Sequence, residues 1–229
     1  MNTSGRIFDL AKWDIETFDV VGFTSSLDVG LPLLSAWLYL KASRCIPSII
    51  RTWWNESRDR ALTLSVEGYT EKFYTPILLS KEFVLLGMLS LPNISVKVVK
   101  STLEVVASYN IEDSALDMVI KLPRSFPLRL VEVNSTSPLT GVPEQKWRSW
   151  LLSSQAVLSA QNGSLGDAIA VFERNVSGHF EGVEECAICY SIIGLDRTVP
   201  SKACRTCKHK FHGGCLFKAR IFRLVLDRG

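Results

Sequence analysis

Three short motifs constrain this chain more than any other stretch: Cys186-Ala187-Ile188-Cys189, Cys204-Arg205-Thr206-Cys207 and His212-Gly213-Gly214-Cys215. Five of the six cysteines and two of the three histidines fall within these thirty positions. Two cysteines separated by two residues form a tight knuckle that aims both thiolates at one point. Zinc takes four such ligands in a tetrahedron, from Cys and His in any mixture. Two knuckles plus a His-x-x-Cys supply six ligands, too many for one zinc and two short of two. On spacing alone, Cys186, Cys189, Cys204 and Cys207 match a four-thiolate zinc ribbon, with fourteen residues between the pairs. That assignment strands His212 and Cys215. Cys45 stands apart in an apolar segment and reads as a small core residue.

The rest of the chain has to carry this module. At 229 residues it has room for one large domain or two to three small ones. With 47% hydrophobic and 21% charged residues the composition is that of a globular protein. A formal charge of +3 is too small to argue for nucleic acid from bulk electrostatics. Asp9, Asp14, Glu16 and Asp19 interrupt the first twenty residues, so no signal peptide is expected. The longest apolar run, Leu31 to Leu40, is about half the length of a bilayer span, and Lys41 and Arg44 follow it. A soluble chain with no membrane partner is the expectation. Paired cysteines then favour zinc over disulfides, and a reducing compartment, the cytosol.

Residues 1–28 show little pattern. Residues 29–80 read as helical. Leu33, Leu34, Trp37, Leu38 and Leu40 form an apolar face, and Pro47 marks a helix start or break. Asn55 to Arg60 suits a turn, and Leu62, Val66, Tyr69 and Phe73 continue at helical spacing. Two or three packed helices with Trp53 and Trp54 in their core follow from this. Between residues 93 and 135 the period changes to two. Val96 and Val98, then Leu103 to Ile111, then Leu116 to Leu122, then Val131 and Val133 predict four strands of an antiparallel meander. Glu112-Asp113-Ser114 is a short turn between the second and third. From Pro143 the pattern is helical again, with Trp147, Trp150, Leu151, Val157 and Leu158, until Asn162-Gly163 breaks it. Ser164 and Asp167 form a capping-box pattern. Leu165, Ile169, Phe172, Val176 and Phe180 make one stripe that should pack on the sheet. Residues 81–183 are thus an α+β domain, residues 184–218 the zinc module and residues 219–229 a tail of unrelated character.

These residues also resemble a family. Pro123-Arg124-Ser125-Phe126-Pro127 between two strands resembles an RWD domain, a relative of the ubiquitin-conjugating fold. Trp147-Arg148-Ser149-Trp150-Leu151-Leu152, Ser159-Ala160-Gln161-Asn162-Gly163-Ser164, Arg174-Asn175-Val176, and Phe180 through Cys186 continue the likeness. With Cys204 to Phe217, they resemble the C-terminus of the listerin family, RING-type ubiquitin ligases of ribosome quality control. Arg51-Thr52-Trp53-Trp54-Asn55 through Phe73 resembles the end of that family's helical-repeat arm. The fold class expected is therefore α+β: an N-terminal helical segment, an RWD-like antiparallel sheet with packing helices, and an incomplete C-terminal zinc-binding RING.

The resemblance implies a cross-brace of two zincs. Cys186, Cys189, His212 and Cys215 would hold the first, and Cys204 and Cys207 would begin the second. The fourth pair should follow Cys215, but residues 216–229 contain neither Cys nor His. His209 follows Cys207 with only Lys208 between them and reads as an exposed polar residue. A RING positions a ubiquitin-loaded conjugating enzyme rather than reacting itself, and Ile188 falls at the family's contact position. The Trp that the family carries after Leu-x-Lys is Ala219 here. The partners implied are a ubiquitin-conjugating enzyme, the large ribosomal subunit with a stalled nascent chain, and other ribosome quality control components. A conjugating enzyme needs a thiolate nucleophile, and residues 81–180 hold no cysteine, so the RWD-like block reads as a docking module. The alternative is a non-catalytic ribosome-binding fragment with a half-formed zinc site, inactive or competing with the full ligase. Sequence-specific nucleic-acid binding is weaker still, because Arg205, Lys208, Lys210, Lys218, Arg220 and Arg223 lack an interleaved aromatic array.

Overall fold

A computed structural model of the chain describes residues 14–19, 27–112, 114–136, 141–195 and 197–226. The expectation for residues 1–13 and 20–26 lies outside that set. The helical segment comprises α1 (Leu27–Cys45), α2 (Pro47–Glu56) and α3 (Arg60–Tyr69), then a π-helical turn (Thr70–Tyr74) that runs into α4 (Thr75–Met88). Proline opens α2, where its missing N–H costs nothing. The Asp59 carboxylate caps α3 by accepting from the N–H groups of Ala61 and Leu62 at 2.9 and 3.1 Å.

Several core expectations fail in this layer. Trp53 is 46% exposed and Leu38 is also exposed. No residue of α3 is buried, Leu62 and Tyr69 included. Cys45 is exposed as well. Periodicity shows which residues share a face, but a thin layer of helices has neighbours on one side only, so some apolar stripes stay uncovered. Trp54 is half-buried, with its indole N–H donating to the Thr63 carbonyl at 3.1 Å. The buried residues of α2 are instead Pro47 and Arg51, and the Arg51 Nε and Nη1 donate to the carbonyls of Pro127 and Ser159 at 3.0 and 2.9 Å.

The sheet is the expected meander: β1 (Ile94–Val99), β2 (Glu104–Ile111), β3 (Ser114–Lys121) and β4 (Glu132–Asn134), paired antiparallel in the order β1-β2-β3-β4. In β2 the alternation puts Val105, Ala107 and Tyr109 on one buried face, opposite Ile120, Met118 and Leu116 of β3. Across that face lie α5 (Glu144–Ser159) and α6 (Leu165–Phe180). The α6 stripe Leu165, Ile169, Phe172, Val176 and Phe180 is wholly buried, and Trp147 of α5 meets the Phe172 ring edge-on at 5.7 Å. The Ser164–Asp167 capping box is formed in both directions. The Ser164 hydroxyl, and after it the Ser164 N–H, hold the Asp167 carboxyl below its ordinary pKa.

α4 runs unbroken past residue 80 and joins the two parts. Leu78 packs into the small core of α1 with Leu40 and Tyr74, while Leu79 and Leu86 enter the sheet core. Further ties cross the same boundary. Thr75 Oγ1 donates to the Phe126 carbonyl at 2.8 Å, and the Ser48 N–H donates to Asn162 Oδ1 at 2.9 Å. Among the described residues no helix is long and apolar enough to cross a membrane. The C-terminal module follows α6: a two-stranded hairpin of β5 (Lys202–Ala203) and β6 (Lys210–Phe211), then α7 (Gly213–Leu226). The helix runs to Leu226, into the stretch from residue 219 expected to be an unrelated tail.

Candidate metal centre

The first knuckle is a tight reversal after the loop that leaves α6. The N–H of Tyr190 bonds the Cys186 carbonyl at 2.8 Å, and the N–H of Cys186 bonds the Ser191 carbonyl at 3.0 Å. Both thiols then face the start of α7. The turn from β6 into α7 brings His212 and Cys215 against them, and the ligand atoms of Cys186, Cys189, His212 and Cys215 all lie within 4.8 Å of one another. The imidazole presents Nδ1, 3.4 Å from Cys189 Sγ and 3.8 Å from Cys215 Sγ. Zinc bonded to sulfur at about 2.3 Å needs tetrahedral edges of roughly 3.8 Å. The donor set and spacing fit a tetrahedral metal ion after a small contraction.

Cys186 and His212 are buried, and Cys189 is exposed. Burial alone would push the Cys186 thiol up. The backbone N–H groups of Cys189, His212 and Ile188 outweigh it and hold the pKa at about 6. The Cys215 thiol goes the other way, to about 11, because it is partly buried beside the sulfurs of Cys189 and Cys186. One anionic sulfur makes the next harder to ionise, and a cation at the centre reverses that balance. His212 Nε2 donates to the Ile192 carbonyl at 3.1 Å, which turns Nδ1 toward the thiols. That carbonyl is a site group that sequence reasoning missed. It is main chain, so no side-chain pattern announces it.

Cys204 and Cys207 lie outside this cluster, which is the one group of three or more metal-ligating side chains among the described residues. The four-thiolate set of a zinc ribbon is therefore not assembled. The second knuckle caps the β5–β6 hairpin: Lys208 N–H bonds the Cys204 carbonyl at 3.1 Å and Cys204 N–H bonds the His209 carbonyl at 2.8 Å. The backbone N–H groups of Cys207 and Thr206 lower the Cys204 pKa to about 7. His209 is exposed and joins no ligand group among the described residues. Ile188, between the first two cysteines, is 40% exposed, and Leu216 and Phe217 on α7 are exposed too.

Comparison with known proteins identifies the setting of this site. The LTN1 family HEAT repeat region matches residues 1–86, and a family described as ubiquitin conjugating domain-like matches residues 94–179. The chain is 39% identical over 220 residues to the E3 ubiquitin-protein ligase listerin of Schizosaccharomyces pombe, covering 93% of this chain and 14% of that protein. Against listerin of Saccharomyces cerevisiae it is 43% identical over 181 residues, 76% of this chain and 11% of that one. This chain belongs to the listerin family. Mouse listerin is 38% identical over 198 residues, 85% of this chain and 11% of the relative. The chain therefore spans 11–14% of the length of these listerins. The α+β domain of this listerin-family chain falls in the conjugating-domain-like match, yet residues 94–179 contain no cysteine. The thiol nucleophile of conjugation chemistry is missing from it.

Proposed function

We propose that this chain is the ligase end of a RING-type ubiquitin-protein ligase. Zinc at Cys186, Cys189, His212 and Cys215 would hold the module that receives a ubiquitin-loaded conjugating enzyme. The observation that carries this reading is the assembled three-thiol, one-imidazole centre in a chain of the listerin family. When bound, zinc supplies structure rather than reactivity: four ligands closed around it leave no position for substrate. The chain's own residues then present Ile188, Leu216 and Phe217, which are exposed beside the centre, to the conjugating enzyme. Such a surface acts by positioning the thioester. The α+β domain, read as an RWD-like module, would dock the ligase on large ribosomal subunits carrying stalled nascent chains, in the cytosol. There the ligase would work with the other ribosome quality control components and mark the stalled chain for degradation.

A second reading has its own support. Cys204 and Cys207 find no third and fourth ligand in residues 216–229, and Ala219 stands where the family carries Trp. The 229-residue chain alone would then be a non-catalytic docking fragment. Discharge of ubiquitin from a loaded conjugating enzyme, with zinc content measured in parallel, separates the two. The ligase reading expects about one tightly bound zinc per chain from the ligand count, and discharge that falls at least tenfold in Ile188→Ala. Zinc-loaded chain without discharge supports the fragment reading. Chain without zinc removes the metal-centre basis of both.

A further inference from the structure

The metal centre is tied to the α+β domain through one carboxylate. Glu112 sits in the turn between β2 and β3, with a backbone φ of +49° that swings its side chain out of the sheet's alternation. Its carboxylate accepts two backbone N–H groups from the C-terminal module: Ile192 at 2.7 Å and Ile193 at 3.2 Å. The carbonyl of the same Ile192 accepts from His212 Nε2 at 3.1 Å, and His212 Nδ1 faces Cys189 and Cys215. The path from the sheet to the ligand is thus a carboxylate, one residue and an imidazole. The two isoleucine side chains are partly buried against the sheet-domain core, so the loop is held by packing on one side and by Glu112 on the other.

We infer that Glu112 is a positioning residue for the metal centre. It fixes the Ile192 peptide so that its carbonyl holds the His212 ring in the tautomer and orientation that offer Nδ1 to the metal. This inference rests on the reading of Cys186, Cys189, His212 and Cys215 as a zinc site. A carboxylate accepting two N–H groups is a charge-assisted bidentate contact. Outer-shell partners of a metal-bound histidine typically change metal affinity by about 10–100-fold. Glu112 acts one residue further out, so the lower end of that range applies. Gln keeps one good acceptor, and Ala keeps none.

The test uses the full 229-residue chain loaded with zinc. Zinc release into a chromophoric chelator is followed for wild type, Glu112→Ala, Glu112→Gln and, as control, Glu132→Ala on an exposed position of β4. Release should be about tenfold faster in Glu112→Ala, intermediate in Glu112→Gln and unchanged in the control. The amides of Ile192 and Ile193 should exchange faster in Glu112→Ala while those of β2 and β3 keep their protection. That second readout separates positioning from general loss of stability, which would loosen the sheet too. Unchanged release from Glu112→Ala in a chain that binds zinc overturns this inference alone. A wild-type chain that binds no zinc overturns the metal reading and this inference with it.

Discussion

The knuckles at Cys186 and Cys204 share one backbone plan. Each is a Cys-x-x-Cys whose next residue, Tyr190 or Lys208, has a positive φ of 56° or 63° and donates its N–H to the first cysteine's carbonyl. In each, the first cysteine's own N–H reaches the carbonyl five residues on. Their surroundings differ. The first knuckle meets His212 and Cys215, and its following loop packs Ile192, Ile193 and Val199 on the sheet core. The second caps a hairpin with two residues per strand, and Cys207 is exposed. Spacing within a motif is enough to shape a knuckle. A metal site also needs ligands from elsewhere in the chain and a frame that keeps them together.

The largest test of this contrast removes one thiol from each knuckle. Cys186→Ser should abolish tight zinc binding, because apparent binding energies of structural zinc are about 10–16 kcal/mol and rest on a complete ligand set. Cys204→Ser should leave tightly bound zinc unchanged. Metal content after gel filtration reads both. If Cys204→Ser loses as much zinc as Cys186→Ser, the two knuckles serve one ion and the contrast collapses.

How much of this was open to sequence reading follows the same division between local and distant. The period-two alternation of β2 and the stripe of α6 were legible because one buried face imposes its repeat on the residues themselves. The capping box and both knuckles were legible because their partners lie within five positions. Trp53, Leu62 and Cys45 misled because burial depends on whether a neighbouring element arrives, and none covers them among the described residues. The choice between the zinc-ribbon and cross-brace groupings was undecidable from spacing. The turn that swings His212 and Cys215 onto the first knuckle gathers those four ligands in space, which no spacing within one motif announces.

The frame can be weakened without touching a ligand. Gly141 has φ +70°, and its N–H donates to the Arg197 carbonyl at 2.7 Å beside the loop after the first knuckle. A Cβ there would sit 3.0 Å from a Val199 methyl and 3.4 Å from the Phe180 ring. Gly141→Ala therefore combines left-handed strain with a crowded contact, at a cost of about 1–3 kcal/mol. For a chain of this size that lowers the melting temperature by roughly 2–4 °C per kcal/mol. Differential scanning calorimetry measures the shift, and chelator challenge should show faster zinc release. Amide exchange at Cys204 and Lys208 should not change, because the second knuckle draws nothing from this contact. Equal loosening of both knuckles would mean that they share a frame.

The smallest effect concerns the second knuckle's own chemistry in metal-free chain. The N–H groups of Cys207 and Thr206 point at the Cys204 sulfur and stabilise its thiolate, so its pKa lies near 7. An unfolded thiol titrates near about 8.5, and only the thiolate reacts with iodoacetamide. The sign follows directly: a lowered pKa means that alkylation of Cys204 rises through pH 7 and levels off above it, earlier than in urea-unfolded chain. Mass spectrometry of the Cys204 peptide across pH 5.5–9.5 gives the midpoint in each state. Cys215, held up near 11 by burial and the sulfurs of Cys189 and Cys186, should stay unreactive over most of that range. A Cys204 midpoint equal to that of the unfolded chain would show that the second knuckle is not formed without metal. The shared backbone plan would then depend on a bound ion in the second knuckle, which no distant ligand joins among the described residues.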